Sequence, residues 1–163
     1  MYSVSRRGFG ALAAAMLMVT GLVAAAPTSF AAASSTALLT GIRTGVNPGF
    51  DRIVLDMTGP APGVQTFDVD ELIADASGEI VWLTGEYFTH VTIIPASGYD
   101  ENGNQTYTGS RKFRTRDLGN VMAVAITGDW EGAIDFGLGM RNRTWVRTFT
   151  LSSPTRVVID VGH

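Results

Sequence analysis

The chain has 163 residues, with 12 Lys+Arg against 15 Asp+Glu, two histidines and no cysteine. That length supports one domain with a modest core, and the formal charge of −3 argues against sequence-independent nucleic-acid binding, which needs a basic footprint. The absence of cysteine excludes disulfides, thiolate catalysis and every Cys-containing zinc site.

Residues 1–33 read as an export signal rather than as structure. Arg6 and Arg7 are followed by an uncharged stretch over 8–26 and then by small residues, with cleavage expected after Ala31 or Ala33. Ser5-Arg6-Arg7-Gly8-Phe9 resembles the Ser-Arg-Arg-x-Phe core of twin-arginine signals, although two arginines also suit a general secretory signal. With no cysteine after the small residues, lipid attachment there is ruled out, and membrane contact is expected only in passing during export. Without Arg6 and Arg7, ten basic residues face fifteen acidic ones, a net charge of −5. Of the 19 glycines only Gly8, Gly10 and Gly21 leave with the leader, so the remainder is glycine-rich.

Residues 34–163 predict an all-β domain, an antiparallel β-sandwich. Short runs rich in Val, Ile, Thr and aromatics alternate with glycine-marked turns, predicting strands over 52–57, 64–69, 79–83, 88–94, 121–127, 134–138, 145–151 and 156–161. One helical turn is expected over 69–74, and Pro95 should end a strand because it cannot donate to a ladder. The segments 51–57 and 155–161 share the pattern Arg-aliphatic-Val-aliphatic-Asp-aliphatic. Antiparallel pairing with Val54 opposite Val158 would set Arg52 against Asp160 and Asp56 against Arg156, two favourable pairs of about 0.2–1 kcal/mol each. Parallel pairing would set like charges together. These four residues are therefore assigned structural roles.

Candidate functional residues are few. There is no nucleophile elbow, His-Glu-x-x-His or phosphate-binding glycine loop, and no metal or cofactor is expected. His90 reads as a strand-face histidine with a satisfied hydrogen bond. Residues 100–104 superficially resemble a calcium loop, but Gly103 comes fourth instead of sixth, so Asn102-Gly103 reads as a turn. In Gly128-Asp129-Trp130-Glu131-Gly132, the ring could stack on a sugar while Asp129 and Glu131 bind its hydroxyls. Alternatively, Trp130 caps the core and both carboxylates face solvent. Lys112, Arg114 and Arg116 fall on one face of an extended segment, either an anion-binding stripe or a charged edge strand guarded against aggregation. A second basic group holds Arg141, Arg143 and Arg147.

Three segments carry a family resemblance: Gly45-x-x-x-Gly49-Phe50-Asp51-Arg52-Ile53-Val54, the Gly128–Gly132 motif, and Ser153-Pro154-x-Arg156-Val157-Val158-Ile159-Asp160-Val161-x-His163. Together they resemble the AMIN-like domain of secreted actinobacterial proteins, from about residue 39 to 163. The resemblance implies a small β-sandwich without catalysis of its own. It also implies an envelope location, since the related AMIN domain of cell-wall amidases and secretins targets its owner there and is thought to touch peptidoglycan. Asn47 stands where many members are expected to carry a histidine. The resulting expectation is an exported, non-catalytic binding module whose partner is a cell-wall glycan or an envelope protein. The alternatives are a glycan hydrolase using Asp129 or Glu131 with a distant carboxylate, and a protein-interaction or assembly domain.

Overall fold

The computed structural model describes residues 36–163; the expected leader, its cleavage sites and its paired arginines lie outside the described residues. Regular structure there consists of strands: β1 (Ala37–Asn47), β2 (Phe50–Thr58), β3 (Gly63–Val69), β4 (Tyr87–Ile94), β5 (Ala96–Ser97), β6 (Lys112–Arg114), β7 (Val121–Trp130), β8 (Ala133–Met140), β9 (Val146–Ser152) and β10 (Thr155–Gly162). One sheet runs β5-β1-β2-β10-β9 and the other β3-β4-β8-β7-β6, and every pairing is antiparallel except β1 with β5. Alternation decides what lies between the sheets. Ile53, Leu55 and Met57 of β2 and Val157, Ile159 and Val161 of β10 turn inward from one sheet. Val91 and Ile93 of β4 and Ile134, Phe136, Leu138 and Met140 of β8 meet them from the other. Each such large side chain contributes about 1.5–3 kcal/mol on burial.

Strands β2 and β10 are antiparallel neighbours with Val54 opposite Val158, Arg52 opposite Asp160 and Asp56 opposite Arg156. Asp160 also lies opposite Arg147 on its other side. Its carboxylate, fully buried, accepts two hydrogen bonds from Arg52 at 2.7 and 2.9 Å and one from Arg147 at 2.7 Å. The same two guanidiniums lie over rings: Arg52 over Phe50 and Phe149, and Arg147 over Phe149 and Trp145. Asp56 departs from its expected partner. Arg43 of β1 grips it with two 2.6 Å bonds, while Arg156 donates at 3.4 Å to the Pro154 carbonyl. Arg156 lies directly opposite Asp56, but Arg43, opposite Val54, reaches it diagonally past Gly41 and takes the bidentate position.

Two expectations fail over residues 69–86. No helical turn forms over 69–74, and 79–83 is not a strand. Instead Ile73 and Ile80 form an isolated bridge, and Val81 donates to the Leu72 carbonyl at 2.7 Å. The segment lies against the outer face of the second sheet, where β8 presents Gly137 and Gly139. A methyl added to Gly137 would strike the Leu72 side chain, and one on Gly139 would strike the Thr84 carbonyl oxygen. These two glycines therefore have a packing cause: Gly139 lets main chain lie on main chain, and Gly137 makes room for the Leu72 side chain. Strand β1 was not expected, because Gly41 and Gly45 and a bulge between Leu39 and Gly41 blur its alternation.

One end of the sandwich is fastened by Asp51, fully buried at the start of β2. Its carboxylate accepts backbone N–H bonds from Gly119, Asn120 and Val121 at 2.8, 2.7 and 2.8 Å. Asn120 extends the fastening by donating to the carbonyls of Gly162 at 2.8 Å and Asn142 at 3.1 Å.

Two stability outcomes follow. Gly139→Ala should cost about 3 kcal/mol by overpacking in urea unfolding, whereas Gly45→Ala, with nothing within 4 Å of the added methyl, should stay within about 0.5 kcal/mol of the parent. Equal effects would contradict the packing role of Gly139. Hydrogen bonding from Arg52, and less so from Arg147, holds the Asp160 carboxyl below the ordinary aspartate range. Its folded pKa is depressed, so the stabilisation is complete above the unfolded value near 3.9 and is lost as pH falls through the folded value. Asp160→Asn should thus cost about 3 kcal/mol at pH 7, and the gap from the parent should close in acid. A gap independent of pH would assign the loss to packing.

Candidate functional site

The Gly128–Gly132 motif forms the tip of the β7–β8 hairpin. Trp130 pairs with Ala133, leaving Glu131 and Gly132 as a two-residue turn with φ of 50° and 78°. Positive φ at both residues is the turn that matches strand twist, and Asn, Asp or Gly usually occupies its first position. Glutamate there is uncommon and costs about 1–2 kcal/mol of backbone strain.

A bulge decides where the motif points. The β7–β8 register shifts between Ile126 and Gly128. Continuing the inward alternation of Val124 and Ile126 would turn Trp130 into the core; the extra residue, Thr127, reverses the faces. Trp130 consequently lies outside, 68% exposed, and does not cap the core. Asp129 turns inward with its side chain only 6% exposed. It accepts from the Gly98 N–H at 3.1 and 3.2 Å and from the Ser97 hydroxyl at 3.4 Å, tying the hairpin to the β5 edge of the facing sheet. Arg111 stands 3.8 Å from the same carboxylate. Asp129 and Glu131 are thus not brought together.

Trp130 and Glu131 instead border an open depression of about 620 Å³ whose other acidic members are Asp75 and Asp135. Asp75 is carried there by the 70–86 segment, its N–H bonded to the Thr127 carbonyl at 3.1 Å. Gly128 keeps the floor low: a methyl on it would lie 2.7 Å from Asp75 Cβ and 3.0 Å from Asp135 Oδ2. Asp135 is positioned from β4, where His90 Nε2 lies 2.8 Å and the Thr92 hydroxyl 2.6 Å from its Oδ1. His90 therefore has the hydrogen-bonded strand position expected of it. Asp135 shares its outward face with Gly137, a signal present in the sequence but unmarked. Asp75 had no signal, because its placement comes entirely from the segment crossing the sheet.

The basic residues divide. Lys112 and Arg114 are exposed on edge strand β6 with Phe113 between them packed on the core. Lys112 donates to the Trp82 carbonyl at 3.1 Å, beside a second depression of about 360 Å³ bordered by Trp82 and Arg114. Arg114 and Arg116 line a further hollow with Arg141. Arg143 leaves its sequence neighbours for Asp68, at 3.7 Å, and the Tyr87 ring.

The Asp100 loop satisfies itself. Its carboxylate accepts the N–H of Asn102 at 2.9 Å, the N–H of Asn104 at 2.8 Å and the Asn104 side-chain amide at 2.9 Å. These bonds, the Asn104 side chain foremost, hold the Asp100 carboxyl below its usual range. They describe an Asx-type turn. Among the described residues no cluster of three His, Cys, Asp or Glu could hold a metal ion.

A search of the curated proteins finds no match. The family model described as the AMIN-like domain matches residues 37–163, the full span of the two sheets. The chain belongs to the AMIN-like domain family.

Proposed function

We propose that the domain is a non-catalytic envelope binding module that takes a wall glycan, peptidoglycan foremost, into the depression beside Trp130. The family fits an envelope binding or interaction module in general, and its domains are typical of periplasmic or extracellular envelope proteins. The observation that carries the glycan reading is the exposed Trp130 ring at the border of a concave, carboxylate-lined surface. A sugar presents an apolar face to an aromatic ring and hydroxyl donors at its rim, and carboxylates accept from those donors. Glu131, Asp75 and Asp135 provide such acceptors, and Asp135 is oriented in advance by His90 and Thr92. Glu131 supports the reading in a second way, since a strained residue held at a turn tip is a common mark of a functional position.

The test is co-sedimentation of the protein with purified peptidoglycan. Trp130→Ala should weaken binding about tenfold, roughly 1.4 kcal/mol, without lowering the melting temperature, because the ring is exposed. Glu131→Asn should raise stability by about 1 kcal/mol by relieving the turn while also weakening binding. Failure of the parent protein to bind any wall fraction would overturn the glycan reading in favour of a protein partner. Soluble fragments released from the wall would turn it toward a hydrolase.

A further inference from the structure

Residues 36–163 contain ten basic side chains. Arg43, Arg52, Arg111, Arg143 and Arg147 each meet a carboxylate within 4 Å. Lys112 and Arg156 each donate to a backbone carbonyl. Three remain, Arg114, Arg116 and Arg141, whose side chains form no ion pair or hydrogen bond among the described residues. All three line the same open hollow of about 150 Å³, with Thr84, Thr115 and Met122.

Their convergence is enforced by the main chain. Arg114 ends β6, opposite Ala123 of β7. Thr115, between Arg114 and Arg116, donates its N–H to the Met122 carbonyl at 3.0 Å and its hydroxyl to the Val121 carbonyl. Arg141, the residue after β8, donates its N–H to the Asn120 carbonyl at 2.9 Å. The backbone beside all three is thereby fastened to the segment that Asp51 holds. Asp117, next to Arg116 in the chain, and Glu86, whose N–H bonds the Met140 carbonyl beside Arg141, form no ion pair with them among the described residues. Three like charges around one small hollow repel one another, on a domain whose overall charge is negative. An anion placed among them relieves that repulsion, and the planar guanidinium fork matches the oxygens of a phosphate.

We propose that the Arg114–Arg116–Arg141 hollow is a phosphate-binding site. Met122 and Trp130 are eight residues apart on β7, about 26 Å at 3.3 Å per residue, so this site is separate from the glycan depression. Thr84 also borders the hollow and carries a hydroxyl of the kind that bonds a phosphate oxygen. The phosphate can belong to a phosphodiester wall polymer or to a lipid headgroup, two sources with the same recognition chemistry.

The test uses the full chain at low ionic strength and three probes: inorganic phosphate, poly(glycerol phosphate), and phosphatidylcholine vesicles containing phosphatidylglycerol. Binding to at least one probe is expected, weakened at least tenfold by the double variant Arg114→Gln/Arg141→Gln and falling steeply as salt is raised. Preference for the polymer or for the vesicles identifies the source. Arg156→Gln and Trp130→Ala should leave the binding intact, and unchanged melting temperatures exclude misfolding. Binding that the double variant retains in full would refute the site, as would the absence of binding to all three probes. Equal binding of polyglutamate at matched charge would refute the assignment to phosphate.

Discussion

A single buried carboxylate organises one end of this molecule. Asp51 is sealed from solvent with three backbone N–H groups of residues 119–121 directed at it. A buried charge without such donors costs several kcal/mol, so the loop entering β7 has one low-energy course. Asp51 belongs to β2 and those donors to the first residue of β7 and the two before it, so the bonds join the two sheets, which otherwise meet mainly through non-directional packing. Asn120 then binds the carbonyls of Asn142, just after β8, and of Gly162, the last residue of β10. The positions of Arg116 and Arg141 are set by that arrangement before either side chain makes any contact of its own.

What could be read from the sequence depended on how local the cause was. The β2–β10 register was legible because a strand has period two and the charges alternate in step with the aliphatics; only one register pairs Arg52 with Asp160. The same reasoning missed Arg43, since nothing marked β1 as the next strand across. It also missed that Asp160 would be shared with Arg147, which depended on β9 lying on the far side. The helical turn expected at 69–74 shows the opposite case, where tertiary placement overrode a local pattern. Leu72 is buried on a glycine of a distant strand, not by a helix face.

At the hairpin tip the sequence marked a turn and left the orientation of its side chains open. Gly128–Gly132 was legible as a turn with an aromatic and two acids, but one extra residue in the strand determines which of them faces out. Bulges leave little trace in a single sequence. Here one exchanges the positions of Asp129 and Trp130, making the acid an internal tie and the ring an external surface. The depression beside that ring draws on three separated stretches of chain, which is why Asp75 and Asp135 could not be assembled by inspection.

The outer face of β8 bears on how such a domain can diverge. The 70–86 segment rests on Gly137 and Gly139 chiefly through its own main chain, with Leu72 as its buried anchor, while Trp82 projects into solvent. The instruction for where the segment lies is therefore shared between Gly137 and Gly139 in the strand that receives it and Leu72 and Gly85 in the segment, where a methyl on Gly85 would lie 2.7 Å from Gly139 Cα. The segment's exposed side chains are released from any architectural duty and can be exchanged without altering the path of the chain. Among related sequences, this crossing is where surface chemistry can drift fastest, provided Leu72, Gly85 and the two glycines beneath them stay.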